Sequence, residues 1–223
     1  MKASAWLWSA LLICAGPATA LDMAEAMAAC PGAARFINAQ IEQQRAAAAQ
    51  APVQVSDPSR RQQLLALQDE DQVQYEQLAA GHADAQALGE LQVRHLAYLR
   101  RELDESRPMP TVAEVGRDGI AALWLLVQHA DADPALQARA FKQLEPLAKR
   151  GDLDASKFAL LTDRVLLASG KPQKYGSQLR DLKTGTPLPL DNADALQRER
   201  AALGLMALED YRCISAQLYR NAP

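Results

Sequence analysis

The sequence predicts a mainly α-helical protein: a single multi-helix domain with a small hairpin or ordered loop near 171–190 and an N-terminal helical extension. Alanine, leucine, glutamine and arginine dominate the chain, whereas valine and isoleucine, which favour strands, are sparse. Apolar residues recur at helical spacing between glycine and proline breaks. The stretch 171–190 departs from this pattern, because Gly176, Gly185, Pro187 and Pro189 favour turns over helix.

Short capping signals separate the predicted helices. Asp57 and Asp133 each precede a proline, which is typical of an N-cap followed by proline at the first helical position. Residues 120–127 are apolar on every side, which predicts a buried central helix. The helices are expected at about 22–49 (interrupted at Pro31-Gly32), 58–80, 83–106, 116–130, 134–150, 154–169, 192–203 and 208–220. The predicted organisation is a leader at 1–20, an N-terminal helix with an Ala/Gln-rich linker at 21–58, and a helical core domain at 59–220.

Residues 1–20 have the features of an export signal. Lys2 supplies a positive start, a nearly unbroken apolar run follows, and Ala18-Thr19-Ala20 fits the small-residue rule for cleavage. Cleavage near Ala20 is expected to give a periplasmic or secreted protein, and no later stretch predicts an integral membrane segment. Loss of Lys2 moves the formal charge from −3 to −4. A net negative charge does not favour binding to nucleic acid, so no nucleic-acid partner is expected.

Two cysteines remain after the leader, Cys30 and Cys213, near opposite ends of the chain. In an oxidising compartment a disulfide between them is expected. It would tie the N-terminal helix to the C-terminal helix, with a chain-entropy gain of at most roughly 5 kcal/mol. The alternative is two free buried thiols.

Chemically distinctive side chains interrupt the apolar region from residue 128 to residue 178. His129 ends the predicted central helix, where it is either a general base or a hydrogen-bonded core histidine. Asp71 falls on the apolar stripe of the second helix, and Arg164 lies within an apolar helix beside Asp163. Arg164 is therefore expected to pair with Asp71 or to hold an anionic ligand, and the alternative is a structural ion-pair network.

The segment after Gly170 is rich in donors and acceptors. Gln173, Tyr175, Ser177 and Gln178 follow one another there, which is typical of a loop that lines a pocket. The alternative is that these side chains serve the turn itself by pairing with buried backbone groups.

Other polar or aromatic residues have simpler interpretations. Arg198 and Arg200 are expected on a solvated face or in a salt bridge, and Trp124 in the core with its N–H bonded to one acceptor. No histidine, cysteine and carboxylate cluster has the spacing of a metal site, so neither a metal nor a cofactor is expected. The nucleophile elbow, the P-loop, the dinucleotide glycine motif and the zinc-protease motif are all absent from the sequence.

The order of these motifs resembles a bacterial domain-of-unknown-function family, number six-six-two-four, over about residues 60–215. The shared motifs are Asp71-Gln72, Trp124 with Gln128-His129, Asp133-Pro134, Asp163-Arg164, Gln173 with Tyr175-Gly176-Ser177-Gln178, Arg200 with Gly204-Leu205, and Glu209-Asp210-Tyr211. Two departures occur: Arg107-Pro108-Met109-Pro110 lacks the tryptophan that usually precedes the core helix, and Ser177 stands where threonine is usual. The resemblance implies the domain limits and adds Gln72 and Gln128 to the candidate ligand-binding residues, but it implies no activity.

Three functions remain open. In the first, the helices that bear Asp71, His129 and Asp163-Arg164 meet beneath the 171–178 loop and bind a small polar or anionic group, with Arg164 as the charged clamp. The second is a metal-independent hydrolase or transferase with His129 as general base, oriented by Asp163 or Asp71. The third is a cell-envelope interaction, inhibitor or immunity protein, whose partner is another envelope protein and whose polar network is purely structural.

Overall fold

The computed structural model describes residues 20–48, 54–79, 82, 84–104 and 106–220, so the predicted leader before Ala20 and part of the predicted linker lie outside the described residues. The mainly α fold is confirmed. The helices are α1 (Ala20–Ala29), α2 (Pro31–Ala48), α3 (Pro58–Ala79), α4 (Ala85–Glu102), α5 (Val112–Gln128), α6 (Pro134–Lys149), α7 (Ala155–Ala168), α8 (Ala193–Ala202) and α9 (Leu208–Leu218). The predicted hairpin is also present, as the antiparallel strands β1 (Leu179–Asp181) and β2 (Thr186–Pro187).

The chain forms two compact units. One comprises Met1–Pro52 and Pro172–Pro223, and the other comprises Val53–Lys171. We refer to them as the terminal unit and the central unit. The predicted domain limit near residue 58 stays a prediction.

Helix α5 forms the core of the central unit and packs against α3, α4, α6 and α7. Its large apolar side chains, among them Ile120, Leu123, Trp124 and Leu126, have almost no exposed surface, which confirms the prediction of a buried central helix. Each such side chain contributes about 1.5–3 kcal/mol through burial. The Trp124 ring lies under the Lys157 ammonium at 4.7 Å, but its N–H has no acceptor among the described residues, contrary to the expectation.

The predicted start of α5 at Gly116 is wrong, because the helix begins at Val112. Thr111 and Glu114 form a capping box that satisfies the first amides of the helix. Gly116 then interrupts the helix with a φ of 75°, a conformation that glycine adopts without a steric penalty. The predicted N-caps are confirmed, since Asp57 accepts a hydrogen bond from the Arg60 amide and Asp133 from the Leu136 amide.

In the terminal unit α1 and α2 pack against α9. Their apolar contact is built around Ala26, Ala33 and Ile214. The predicted disulfide is confirmed: Cys30 and Cys213 are bonded, with their Cα atoms 5.9 Å apart. The bond fixes the α1–α2 junction to the last helix across a sequence separation of 183 residues.

None of the described helices is both long enough and apolar enough to cross a membrane.

Candidate functional site

A buried carboxylate in the central unit lies between two imidazoles. His129 Nδ1 is 2.6 Å from Asp71 Oδ2, and His95 Nδ1 is 3.5 Å from Asp71 Oδ1. Asp71 is 1% exposed, His95 6% and His129 9%. We refer to Asp71, His95 and His129 as the Asp71 centre.

Helical spacing explains why these residues meet. Asp71 lies on the inward face of α3, and His95 lies on α4 midway between the buried Leu91 and Leu99, four residues from each. His129 is the C-cap of α5, and its amide bonds the Leu125 carbonyl. The structure thus brings Asp71 and His129 together. Sequence reasoning missed His95, although its place on the leucine stripe was a usable signal.

Two further side chains border the centre. The Tyr75 ring lies against the His129 ring, with centroids 4.1 Å apart and planes inclined by 31°. Gln72 Nε2 is 3.5 Å from Asp71 Oδ2, at the outer limit of a hydrogen bond. The neighbouring Tyr75 ring and the bond to Asp71 together restrict the orientation of His129.

The environment of Asp71 favours its ionised form. Burial is the largest influence and raises its pKa, but the hydrogen bonds and charges of His129 and His95 act in the opposite direction and prevail, so the pKa lies below its ordinary value. The carboxylate bonds the His129 ring and lies within ion-pair distance of the His95 ring.

A folded-state pKa below the unfolded value makes Asp71 a source of stability above about pH 4, and this stability is lost as the pH falls through the lowered value. We expect the urea midpoint of the parent to fall more steeply between pH 5 and pH 2 than that of Asp71→Asn. The comparison isolates the Asp71 centre, since all other acids are common to both proteins. Parallel pH profiles would show that Asp71 has no depressed pKa.

The outer nitrogens of the two imidazoles are buried and unsatisfied. Neither His95 Nε2 nor His129 Nε2 has a hydrogen-bond partner among the described residues. Both rings line a small cavity together with Asp71, Tyr75 and Gln92, and leucine and alanine side chains complete the wall. The space open to the centre of a water molecule is about 10 Å³, which accommodates about one water.

The expected pairing of Arg164 with Asp71 is wrong. Arg164 Nη1 bonds Asp131 Oδ2 at 2.5 Å, and Asp131 is more than half exposed. The α5–α6 connection brings Asp131 to Arg164, while Asp71 is already held by two histidines. One nitrogen of the guanidinium is thus paired within the protein, whereas its buried Nε has no partner among the described residues, and the role of Arg164 as the clamp of an anion stays a prediction.

Two other predicted site residues are fully buried in the central unit. Gln128 is 0% exposed, and neither atom of its side-chain amide has a partner in the part of the chain that the structure describes. Asp163 on α7 is also 0% exposed. Asp71 contacts the His129 ring, and the role predicted for Asp163 as an alternative orienting group stays a prediction.

The side chain of Gln173, in the 173–178 loop of the terminal unit, binds the backbone of the loop and of the segment that follows β2. Gln173 Nε2 donates to the carbonyls of Gln178 and Leu188 at 2.9 and 2.8 Å, and its Oε1 accepts from the Gln178 amide at 2.9 Å. The amide of Gln173 thus joins the loop to the hairpin. These contacts match the structural interpretation of Gln173, and its ligand-binding role stays a prediction, as does a meeting of this loop with the Asp71 centre.

Arg200 corrects the expectation of a solvated face, because its side chain is buried. It is 4% exposed and donates to the carbonyls of Met206 and Tyr175. The hydroxyl of Tyr211 similarly donates to the Ser177 carbonyl at 2.9 Å. Side chains from α8 and α9 thereby fix the backbone around Tyr175 and Ser177, whose own ligand-binding roles stay predictions with that of Gln178.

The described residues contain no group of three or more histidine, cysteine and acidic side chains that could hold a metal ion. The model of a family of unknown function (DUF6624) matches residues 58–220. No curated protein and no solved structure matches the chain. The family match covers all three residues of the Asp71 centre, the Arg164 pair and the 173–178 loop.

Proposed function

Since the chain belongs to this family of unknown function, its own geometry must indicate its role, and we propose that it binds a small polar group at the Asp71 centre. The observation that supports the proposal is the pair of buried Nε2 atoms on His95 and His129, unsatisfied by any described residue and carried by rings that line a cavity. A buried polar atom without a partner costs about 1–3 kcal/mol, and a bound group that pairs with it recovers this free energy.

The composition of the centre also favours a binding role over a purely structural one. A structural network is expected to satisfy each of its members, because a half-satisfied network is less stable than an apolar core. Here the inner nitrogens of both rings contact Asp71, while the outer nitrogens have no hydrogen-bond partner among the described residues. This asymmetry is typical of a ligand-binding histidine, in which a protein group holds one ring nitrogen and the other nitrogen binds the ligand.

A second candidate function, a metal-independent hydrolase or transferase, is supported by one contact. The 2.6 Å contact between His129 Nδ1 and Asp71 Oδ2 is the arrangement in which a carboxylate orients an imidazole as general base. A cavity for about one water beside that ring also suits the nucleophile of a hydrolase. In this function the bound polar group is the one that loses a proton to the histidine.

Export is part of the proposal. The leader predicted at 1–20 lies outside the described residues except for Ala20. The disulfide between Cys30 and Cys213 supports a periplasmic or secreted location, because such bonds persist mainly in oxidising compartments.

The test replaces His129 by glutamine. Because only Nδ1 of the parent ring has a partner among the described residues, the glutamine amide can reproduce that single bond to Asp71. We expect the free energy of unfolding to fall by about 1 kcal/mol or less, while ligand-induced stabilisation is lost. The measurement is thermal unfolding of both proteins with a panel of small polar compounds and cell-wall fragments.

His129→Leu is the matched control, since it removes the bond to Asp71 and leaves a buried carboxylate with one partner fewer. The free energy of unfolding of His129→Leu should fall further than that of His129→Gln, by about 1–3 kcal/mol. The binding role is wrong if no compound stabilises the parent. It is also wrong if His129→Gln unfolds as readily as His129→Leu, because both ring nitrogens would then serve the fold.

A further inference from the structure

Lys157 differs from the other described lysines in its surroundings. Its side chain is half-buried on α7, and its ammonium lies 4.7 Å from the centroid of the buried Trp124 ring on α5. The other described lysines are exposed, namely Lys142, Lys149, Lys171, Lys174 and Lys183. None of the salt bridges formed among the described residues includes Lys157, whereas Lys149 and Lys174 each have a glutamate partner. The Lys157 amine therefore lies over an apolar ring instead of beside a carboxylate.

This position disfavours the charged form of the amine. Lys157 lies in the first turn of α7, where the positive end of the helix dipole repels a cation. Burial is the largest influence and lowers the pKa of Lys157 below its ordinary value. The charge of Asp154 acts in the opposite direction and does not prevail, since this carboxylate is the N-cap of α7 and already accepts from two backbone amides. Lys157 is thus more readily deprotonated than an exposed lysine.

The amine nevertheless reaches solvent. Among the described residues, Nζ of Lys157 does not belong to the buried polar atoms that lack a partner, and no hydrogen bond holds it. The Trp124 face attracts the amine while it is protonated and covers one side of it. A small reagent can therefore approach Nζ from the side that faces away from the ring.

We propose that Lys157 is a nucleophilic amine and the site at which small aldehydes modify this protein covalently. A lysine that loses part of its hydration has a free electron pair near neutral pH, and such lysines form imines with carbonyl compounds. The electron pair of Nζ attacks the carbonyl carbon, and a proton passes from nitrogen to the carbonyl oxygen. Loss of water then leaves the imine, so one aldehyde is consumed and one water is released. The proposal does not depend on the binding function of the Asp71 centre.

The experiment treats the full chain with limiting formaldehyde and cyanoborohydride at pH 7. The hydride reduces each imine to a stable methylated amine, and peptide mapping by mass spectrometry follows every lysine separately from the α-amino group. We expect Lys157 to react at least about threefold faster than any exposed lysine, because a lower pKa leaves a larger fraction of the amine neutral. Lys149, which is exposed and paired with Glu145, is the internal reference. The advantage of Lys157 should shrink at pH 10, where exposed amines also lose their protons.

Two variants complete the test. Lys157→Arg keeps a cation that can lie over Trp124 but has no amine, so the fast site should disappear. Lys142→Arg changes an exposed lysine of α6 and should keep the fast site. Equal rates at Lys157 and Lys149 at pH 7, or no methylation of Lys157, would overturn the proposal. An advantage that persists unchanged at pH 10 would also overturn it, because the reactivity would then not come from easier deprotonation.

Discussion

Glu102→Leu is expected to lower the free energy of unfolding by about 3–5 kcal/mol, because it leaves a buried arginine without its counter-charge. Arg60 Nε lies 2.5 Å from Glu102 Oε1, and the two side chains are 7% and 2% exposed. Arg60 also donates to the Pro108 carbonyl at 3.2 Å, a neutral acceptor that does not balance its charge. Equilibrium unfolding in urea measures the loss.

The double substitution Arg60→Met, Glu102→Leu removes both charges and should cost much less than the sum of the single changes. Glu70→Leu is the matched surface control. Its partner Arg94 is 3.6 Å away and more than half exposed, so the expected loss is below about 1 kcal/mol. Equal losses from Glu102→Leu and Glu70→Leu, or simple additivity in the double variant, would show that burial does not strengthen the Arg60–Glu102 pair.

The helices were predictable because their signals are local. The Asp-Pro pair at residues 133 and 134 is sufficient to predict the start of α6. Residues 120–127 are apolar on every side, so their burial can be predicted without first deciding which face of the helix is exposed. The start of α5 was missed for an equally local reason. The capping box of Thr111 and Glu114 begins the helix, and Gly116 was taken for its first residue although it is an interruption within it.

The candidate site was only partly predictable, because a partner depends on tertiary contacts. The sequence identified Asp71 as an anomaly on an apolar stripe, but nothing in it could choose between Arg164 and a histidine as its partner. His95 lies on the apolar stripe of α4, and no role was predicted for it from the sequence. Arg200 was placed at the surface because arginine is usually exposed, whereas here backbone carbonyls satisfy its buried guanidinium.

The 173–178 loop shows that the sequence also does not separate a structural role from a ligand-binding role. Gln173 was singled out from the sequence, and its contacts explain why glutamine stands there: one amide joins three backbone groups. Asparagine is one methylene shorter and would not span the same three contacts. A polar side chain in a predicted loop can therefore mark the construction of the loop as readily as the binding of a ligand.

Removal of the Cys30–Cys213 bond is the second change with a large expected effect. The bond closes a sequence separation of 183 residues, for which chain-entropy arguments give at most roughly 5 kcal/mol, and native disulfides typically contribute about 2–5 kcal/mol. It also joins α1 and α2 to α9, which meet over a small apolar cluster around Ile214.

We expect reductant to lower the urea midpoint of the parent. Cys30→Ala, Cys213→Ala should start at the lowered midpoint and show no response to reductant. An unchanged parent midpoint, or two reactive thiols in the denatured, unreduced parent, would show that the bond does not stabilise the protein or does not form.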